Sequence, residues 1–263
     1  MRQLLTIVQC AVLLIVGIAT AKANDLDTVL AHKELRIGLI NQPPYAKYDP
    51  NTDSWSGANY DIGKLIADAA GAKLTVVEST WQSIIPALQA GKIDVGMAPF
   101  YATPQRALAV WFTVPYRYDR GAILIRTTDV GRFKTMADFD KPNVTFAAHV
   151  GSASERDVQH FFPHAQLSSV STDAVVLEVQ SGRANAWMAD MGTIADAQAR
   201  NAEWATVWDP AVVFNAIPVS FVLRRGESDL EHYLDAAIQF YLTQGTIADI
   251  EKKWNLPPSH PPQ

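Results

Sequence analysis

The sequence predicts an α/β protein made of two similar lobes. Three observations carry this. Short apolar strands alternate with amphipathic helices along the chain. One helix–glycine–strand unit occurs twice. The composition is that of an ordinary globular chain, with 48% hydrophobic and 19% charged residues among 263. Alternation of this kind favours largely parallel sheets flanked by helices. The 22 basic and 27 acidic side chains give a net charge of −5, without the basic excess expected of a nucleic-acid binder.

Residues 1–23 stand apart from the fold. Arg2 gives a positive start, residues 4–18 are mostly apolar, and Ala21-Lys22-Ala23 is a small-x-small cleavage pattern, as in a secretory signal peptide. The apolar run is about 15 residues, short of the roughly 20 that span a bilayer. Cleavage after Ala23 leaves 20 basic and 27 acidic side chains, a charge of −7, and removes Cys10, the single cysteine. The exported chain is expected in the periplasm, large enough to fold without a disulfide and without thiol chemistry.

Residues 35–40 read as the first strand. A turn-rich stretch with three prolines follows over 41–57. A helix then places Ile62, Leu65, Ile66 and Ala69 on one face and stops at Gly71. Residues 74–77 read as a strand and 81–90 as a helix closed by Gly91, with Pro86 near its start, where proline is best tolerated. Residues 93–97 form the next strand. Later strands are expected over 122–125, 144–148, 185–189 and 219–223, and later helices over 155–162, 173–181, 228–243 and 246–254. The proline-rich end, residues 257–263, reads as a tail with no packed role.

The repeat aligns Leu88-Gln89-Ala90-Gly91-Lys92-Ile93-Asp94-Val95-Gly96-Met97-Ala98 with Val179-Gln180-Ser181-Gly182-Arg183-Ala184-Asn185-Ala186-Trp187-Met188-Ala189. Four of the eleven positions are identical and the copies lie 91 residues apart. Solenoid repeats run about 20–50 residues, so this spacing suits two similar lobes, or a chance likeness between two helix–glycine–strand junctions. Ligands of open α/β sheets bind outside the carboxyl ends of the strands. That directs attention to Ala98-Pro99-Phe100-Tyr101 and Arg106 after the first copy, and to Asp190 after the second. A cation on one lobe facing an anion on the other would complement a zwitterion.

Thr103 is a good N-cap and Pro104 a good first helical residue, which puts Arg106 in a first turn where the helix dipole disfavours a cation. An anion beside it would explain the placement, since helix N–H groups and a guanidinium fork together hold a carboxylate. A local acid partner or plain solvation would serve as well. Ser152 and Glu155 have capping-box spacing, and the turn Gly151-Ser152-Ala153-Ser154 could share the same anion or simply cap a helix. Among the aromatics, Tyr45 and Trp81 are placed to wall a pocket, whereas Trp187, inside a strand, reads as core. Six histidines are present, but Pro163 separates His160 from His164 and no metal set is read. The sequence holds no H-E-x-x-H, P-loop or G-x-S-x-G motif, and no cofactor is expected. Asp94 and Asp119 read as structural.

The ordered set Lys33-Glu34-Leu35-Arg36-Ile37-Gly38, Pro43-Pro44-Tyr45, Gly57-x-x-x-Asp61-Ile62, Trp81-x-x-Ile84-Ile85-Pro86-Ala87-Leu88-Gln89-Ala90-Gly91-Lys92-Ile93-Asp94 and Thr103-Pro104-x-Arg106 resembles the family 3 extracellular solute-binding proteins, the amino-acid receptors of ABC importers. The resemblance spans residues 33–255. It implies the two-lobed periplasmic binding protein fold of type II, with two hinge strands. Lobe 1 would hold 24–125 with 217–256, and lobe 2 would hold 126–216. It implies that Arg106 binds the ligand α-carboxylate, with Tyr101, Ser152, Ala153 and Ser154 beside it. Asp190 and Ala98 would meet the ammonium. Gln42, Tyr45, Trp81 and Phe100 would form the side-chain pocket. The first-lobe segment departs from the family in carrying Ala98, Pro99, Phe100 and Tyr101 in place of small hydroxyl residues, and Pro99 has no N–H to donate. No acid stands near Asn41, where receptors for cationic amino acids place one, so the expected ligand is not lysine, arginine or histidine.

The leading expectation is a non-enzymatic, monomeric binding protein that delivers an amino-acid-like solute to an inner-membrane permease. A second is a dehydratase of the cyclohexadienyl type on the same scaffold, with Glu155 or Asp190 as general acid. A third is an accessory or sensory binding module.

Overall fold

The computed structural model describes residues 25–208, 214 and 216–259. The expected signal peptide and residues 260–263 lie outside this range. In chain order the first half runs α1 (Asp25–His32), β1 (Glu34–Ile40), β2 (Lys47–Asp49), β3 (Ser54–Ser56), α2 (Ala58–Ala69), β4 (Lys73–Ser79), α3 (Ile84–Gln89), β5 (Val95–Tyr101), α4 (Pro104–Ala107), β6 (Trp111–Phe112), β7 (Arg117–Asp119) and β8 (Gly121–Arg126). The second half runs α5 (Met136–Phe139), β9 (Thr145–His149), α6 (Ala153–Phe161), β10 (Gln166–Val170), α7 (Val175–Gln180), β11 (Ala186–Asp190), α8 (Met191–Arg200), β12 (Ala205–Trp208), β13 (Ile217–Leu223), α9 (Ser228–Thr243) and α10 (Thr246–Lys253).

Two sheets organise the chain. The first has the order β4-β1-β5-β13-β6, with β7 also paired to β13, and the second has β10-β9-β11-β8-β12. The two copies of the sequence repeat, α3–β5 and α7–β11, occupy matching places. Each strand lies between a parallel neighbour, β1 or β9, and an antiparallel one, β13 or β8. Each preceding helix is stopped by a glycine at positive φ, Gly91 (67°) and Gly182 (80°), a conformation that L side chains rarely adopt.

The α/β class holds, but the sheets are mixed rather than mostly parallel. The chain runs from β7 in the first sheet to β8 in the second and returns into β13, and these strands all pair antiparallel. The lobe boundary expected after Ile125 is therefore corrected to Arg120, because the whole of β8 pairs within the second sheet.

Each sheet is covered on both faces. In the first lobe, Val29, Ile62, Ile66, Leu230, Leu234 and Ile238 pack on one face, and Ile84, Leu88 and Val110 on the other. In the second, Phe139, Val158 and Phe162 cover one face, and Val175, Val179, Ile194 and Ala197 the other. Leu65 is only half-buried and Ala69 exposed, so the inward stripe of α2 is Ile62, Gly63, Ile66 and Ala67.

The C-terminal residues are not a loose tail as far as they are described. Ser259 Oγ accepts the Tyr118 backbone N–H at 2.7 Å, and the Pro257 carbonyl accepts from Arg117 Nη2 at 3.2 Å. Among the described residues no helix is long and apolar enough to cross a membrane.

Candidate functional site

The carboxyl ends of β5 and β11 meet the turn after β9 around a cavity of about 20 Å³, room for roughly one water. Gln42, Trp81, Pro99, Tyr101 and Arg106 from the first lobe line it, together with His149, Ser152, Ala153, Ser154, Ala189 and Asp190 from the second. The two lobes thus face each other across a small space. Nine of the residues singled out in the sequence come together here: Gln42, Trp81, Pro99, Tyr101, Arg106, Ser152, Ala153, Ser154 and Asp190.

Arg106 is the dominant charge. Thr103 caps its short helix, Oγ1 accepting the Arg106 N–H at 3.3 Å. The guanidinium carbon stands 5.2 Å from the Phe100 ring centroid and 5.6 Å from that of Trp81, within cation–π range. Its Nη1 is buried with no hydrogen-bond partner among the described residues, and so is the Tyr101 hydroxyl. Burial, and then the charge of Arg156, push the Arg106 pKa down to about 10. A buried guanidinium nitrogen and a buried hydroxyl, both unpartnered among the described residues and on one wall, suit an anion with oxygen acceptors.

Asp190 sits opposite, buried at the end of β11, where it caps α8 by accepting the Thr193 N–H at 2.8 Å. It also accepts from Thr193 Oγ1 at 2.8 Å, from Tyr45 Oη at 3.0 Å and from Gln42 Nε2 at 3.4 Å. Gln42 is fixed in turn, donating to Thr193 Oγ1 at 2.8 Å and accepting from Trp81 Nε1 at 2.9 Å. The Tyr45 hydroxyl also lies 2.7 Å from Asp119 Oδ2. One phenol proton cannot serve two carboxylates, so both contacts are hydrogen bonds only when one carboxyl is protonated. Burial, reinforced by the Asp119 charge, accordingly pushes the Asp190 pKa up to about 6. Gly192 permits this approach, because a Cβ there would lie 2.7 Å from Tyr45 Oη.

Several expectations are corrected. β5 runs on to Tyr101, and its pleat turns alternate residues to opposite faces. Pro99 and Tyr101 face the cavity, while Ala98 and Phe100 pack with Ile84 and Leu88. Ala98 is therefore core rather than an ammonium contact, and Phe100 acts from behind, edge-on to Trp81 at 5.2 Å. Tyr45 stands behind Asp190 rather than on the cavity wall. The turn after β9 has already used N–H groups that were expected to share the anion. Ser152 N donates to the His149 carbonyl at 3.0 Å, Ser154 N to Ser152 Oγ at 3.2 Å and Gly151 N to Glu155 Oε2 at 2.7 Å. Glu155, turned back onto Gly151, is not among the residues lining the cavity. Asp94 is structural as expected, paired with Arg36, whereas Asp119 belongs to the site's supporting network.

The sequence reading missed His149 and Thr193. A lone histidine ending an apolar run carries no local signal that separates a lining residue from core. The α8 signal was available, since Asp190 with Thr193 three residues on is a capping pattern.

The sequence model of the bacterial extracellular solute-binding proteins, family 3, matches residues 35–257. A cyclohexadienyl dehydratase of Pseudomonas aeruginosa is 23% identical over 255 residues, covering 96% of this chain and 94% of that one. ABC transporter arginine-binding protein 1 of Escherichia coli is 23% identical, covering 85% of this chain and 91% of that one. Among solved structures, the ancestral amino-acid-binding protein AncCDT-1, a precursor of cyclohexadienyl dehydratase, superposes with a TM-score of 0.81 at 31% identity, covering 87% of this chain and 98% of that one. A mutant of the arginine-binding protein of T. maritima superposes at 0.79 with 24% identity over 88% of this chain and 98% of that one. The two sheets joined by crossing strands, the cleft closed by both lobes and the match over nearly the whole folded length converge: the chain belongs to the bacterial extracellular solute-binding proteins, family 3.

Proposed function

We propose that this protein is the periplasmic receptor of an ABC importer, and that it captures an amino acid between its lobes and presents it to a membrane permease. The observation that carries this reading is the buried Arg106 Nη1, without a partner among the described residues, in the cavity between the lobes, with the Tyr101 hydroxyl beside it. In this reading the ligand carboxylate supplies the missing acceptor for both, Asp190 meets the ammonium, and Trp81 packs against the ligand. Titration calorimetry of refolded protein with a panel of amino acids tests it. Heat and saturation with one class support it, and a flat panel overturns it.

Asp190 gives the reading a pH signature. Its folded pKa is raised, so its contribution to stability is present at low pH and is lost as pH rises through about 6. Ammonium binding needs the opposite, ionised form. Affinity is therefore expected to fall by up to about tenfold per pH unit below 6, while the ligand-free melting temperature gains a contribution over the same range. An affinity flat from pH 7.5 to 5 would remove Asp190 from the ammonium site.

A second reading, a dehydratase, is favoured by the same carboxyl. Asp190 lines the cavity with its pKa raised toward neutrality, as a general acid requires. Glu155 is less suited to that role, being turned back onto Gly151 and outside the cavity lining. Turnover of prephenate by wild type that is lost in Asp190→Asn would establish this reading, and no turnover at high enzyme concentration would exclude it for that substrate.

A further inference from the structure

Beside the closed cavity lies a second, larger space of about 460 Å³, bounded by Gln42 and Tyr48 of the first lobe and by Val175, Trp187 and Asn201 of the second. His149 lines both spaces. It ends β9, and Trp187 lies opposite Ala147 on the adjacent β11, so the two rings are neighbours on one face, 5.3 Å between centroids. Both side chains are deeply buried, 3% exposed for His149 and 2% for Trp187. His149 Nε2 and Trp187 Nε1 have no hydrogen-bond partner among the described residues. A buried indole N–H ordinarily finds an acceptor.

The chemistry of this pair restricts what fits. An indole N–H donates only, so its partner must be an acceptor. Burial pushes the His149 pKa down to about 4, and the neutral ring offers one donor or one acceptor but no charge. Ionic partners for a cation are scarce. The lining holds a single carboxylate, the exposed Asp173, against Lys47 and Arg200. Asp190, a carboxylate outside this lining, is taken by the α-ammonium in the proposed reading and is not free for a side-chain cation.

We infer that His149 and Trp187 form the specificity site of this receptor, and that it selects amino acids whose side chain ends in a neutral or anionic hydrogen-bond acceptor, an amide or a carboxylate, over those ending in a cation. This rests on the reading that Arg106 takes the α-carboxylate, which places the ligand side chain past His149 toward Trp187. It departs from what the names of the arginine-binding relatives would suggest.

The test is calorimetry with L-glutamine, L-glutamate, L-arginine and L-alanine on wild type, Trp187→Phe, His149→Leu and His149→Gln. Glutamine or glutamate is expected to bind at least about tenfold tighter than arginine, and Trp187→Phe to lose about tenfold for that ligand, the worth of one well-placed hydrogen bond, with alanine binding unchanged. His149→Gln, which keeps a neutral hydrogen-bonding group, should retain more affinity than His149→Leu, and this arm stands alone if Trp187→Phe does not fold. Tighter binding of arginine overturns the inference while leaving the Arg106 reading intact, as does an unchanged glutamine or glutamate affinity in the folded variants. Binding of none of the four overturns both.

Discussion

Replacing Arg106 with alanine is expected to weaken ligand binding by roughly 30-fold to several-thousand-fold, the about 2–5 kcal/mol that follows when one partner of a buried charge pair is removed. The size follows from the burial of the guanidinium nitrogen. Nη1 is buried without a hydrogen-bond partner among the described residues, and three N–H groups of the neighbouring turn are occupied by the chain itself, so in the proposed reading the guanidinium and the Tyr101 hydroxyl carry the recognition. Folding should respond differently. The Arg106 pKa is pushed down to about 10, chiefly by burial, so in the ligand-free protein its charge is opposed by its surroundings. The ligand-free variant should melt no lower than wild type through loss of that charge. Arg106→Lys keeps a cation but not the fork that matches a carboxylate, and should fall between the two. Calorimetry beside thermal unfolding separates the effects. An affinity within about threefold of wild type, under 1 kcal/mol, would reject the assignment.

The largest loss of stability is expected at the other end of the network, in Arg117→Met. Arg117 is 2% exposed and stands 3.4 Å from Asp119 and 3.2 Å from Glu251. Burial works against its charge, but Tyr45, Asp119 and Glu251 outweigh it and hold its pKa above the usual guanidinium value. Removing the cation leaves two carboxylates without it in the interior. Breaking a buried pair in this way costs about 3–5 kcal/mol, or roughly 6–20 °C in melting temperature for a chain of this size. The deficit should depend on pH. Burial already raises the Glu251 pKa, and without Arg117, which lowers it, the carboxyl would take up a proton sooner as pH falls. The gap between variant and wild type should narrow from pH 7 to 5, whereas a gap that widens would show that the carboxylates find other partners. Chemical denaturation at several pH values reads this directly.

Most long helices were legible because their signals are local, but α8 (Met191–Arg200) was not expected although Asp190 caps it. α2 and α9 carry apolar stripes, and α3 and α7 end at glycines that adopt positive φ. The elements that escaped lack such patterns. β10 is Gln-Leu-Ser-Ser-Val and β7 is Arg-Tyr-Asp, strands by virtue of their neighbours. The hairpin of β2 and β3 lies in a stretch whose prolines read as turn. Arg106 and Trp81 were singled out by their places in an ordered pattern and Asp190 by its place after the second repeat copy, and the structure brings all three to one cavity. Ala98 and Phe100 were misplaced by ending β5 four residues early, which hid the alternation that turns them inward. Asp119 could not be read as a neighbour of Asp190 from sequence, since 71 residues separate them and only the crossing of the strands brings Tyr45 between them.

The few residues after α10 have a colloidal consequence. β7 pairs with β13 along one side, and the remaining side of so short a crossing strand would present backbone groups to any other extended chain. Residues 257–259 lie there instead, Ser259 taking the Tyr118 N–H. Pro257 and Pro258 have no N–H to pass on, so a further strand cannot be templated from them. The chain thereby covers this edge against edge-to-edge association with its own residues 257–259, part of the segment that reads in the sequence as a loose tail.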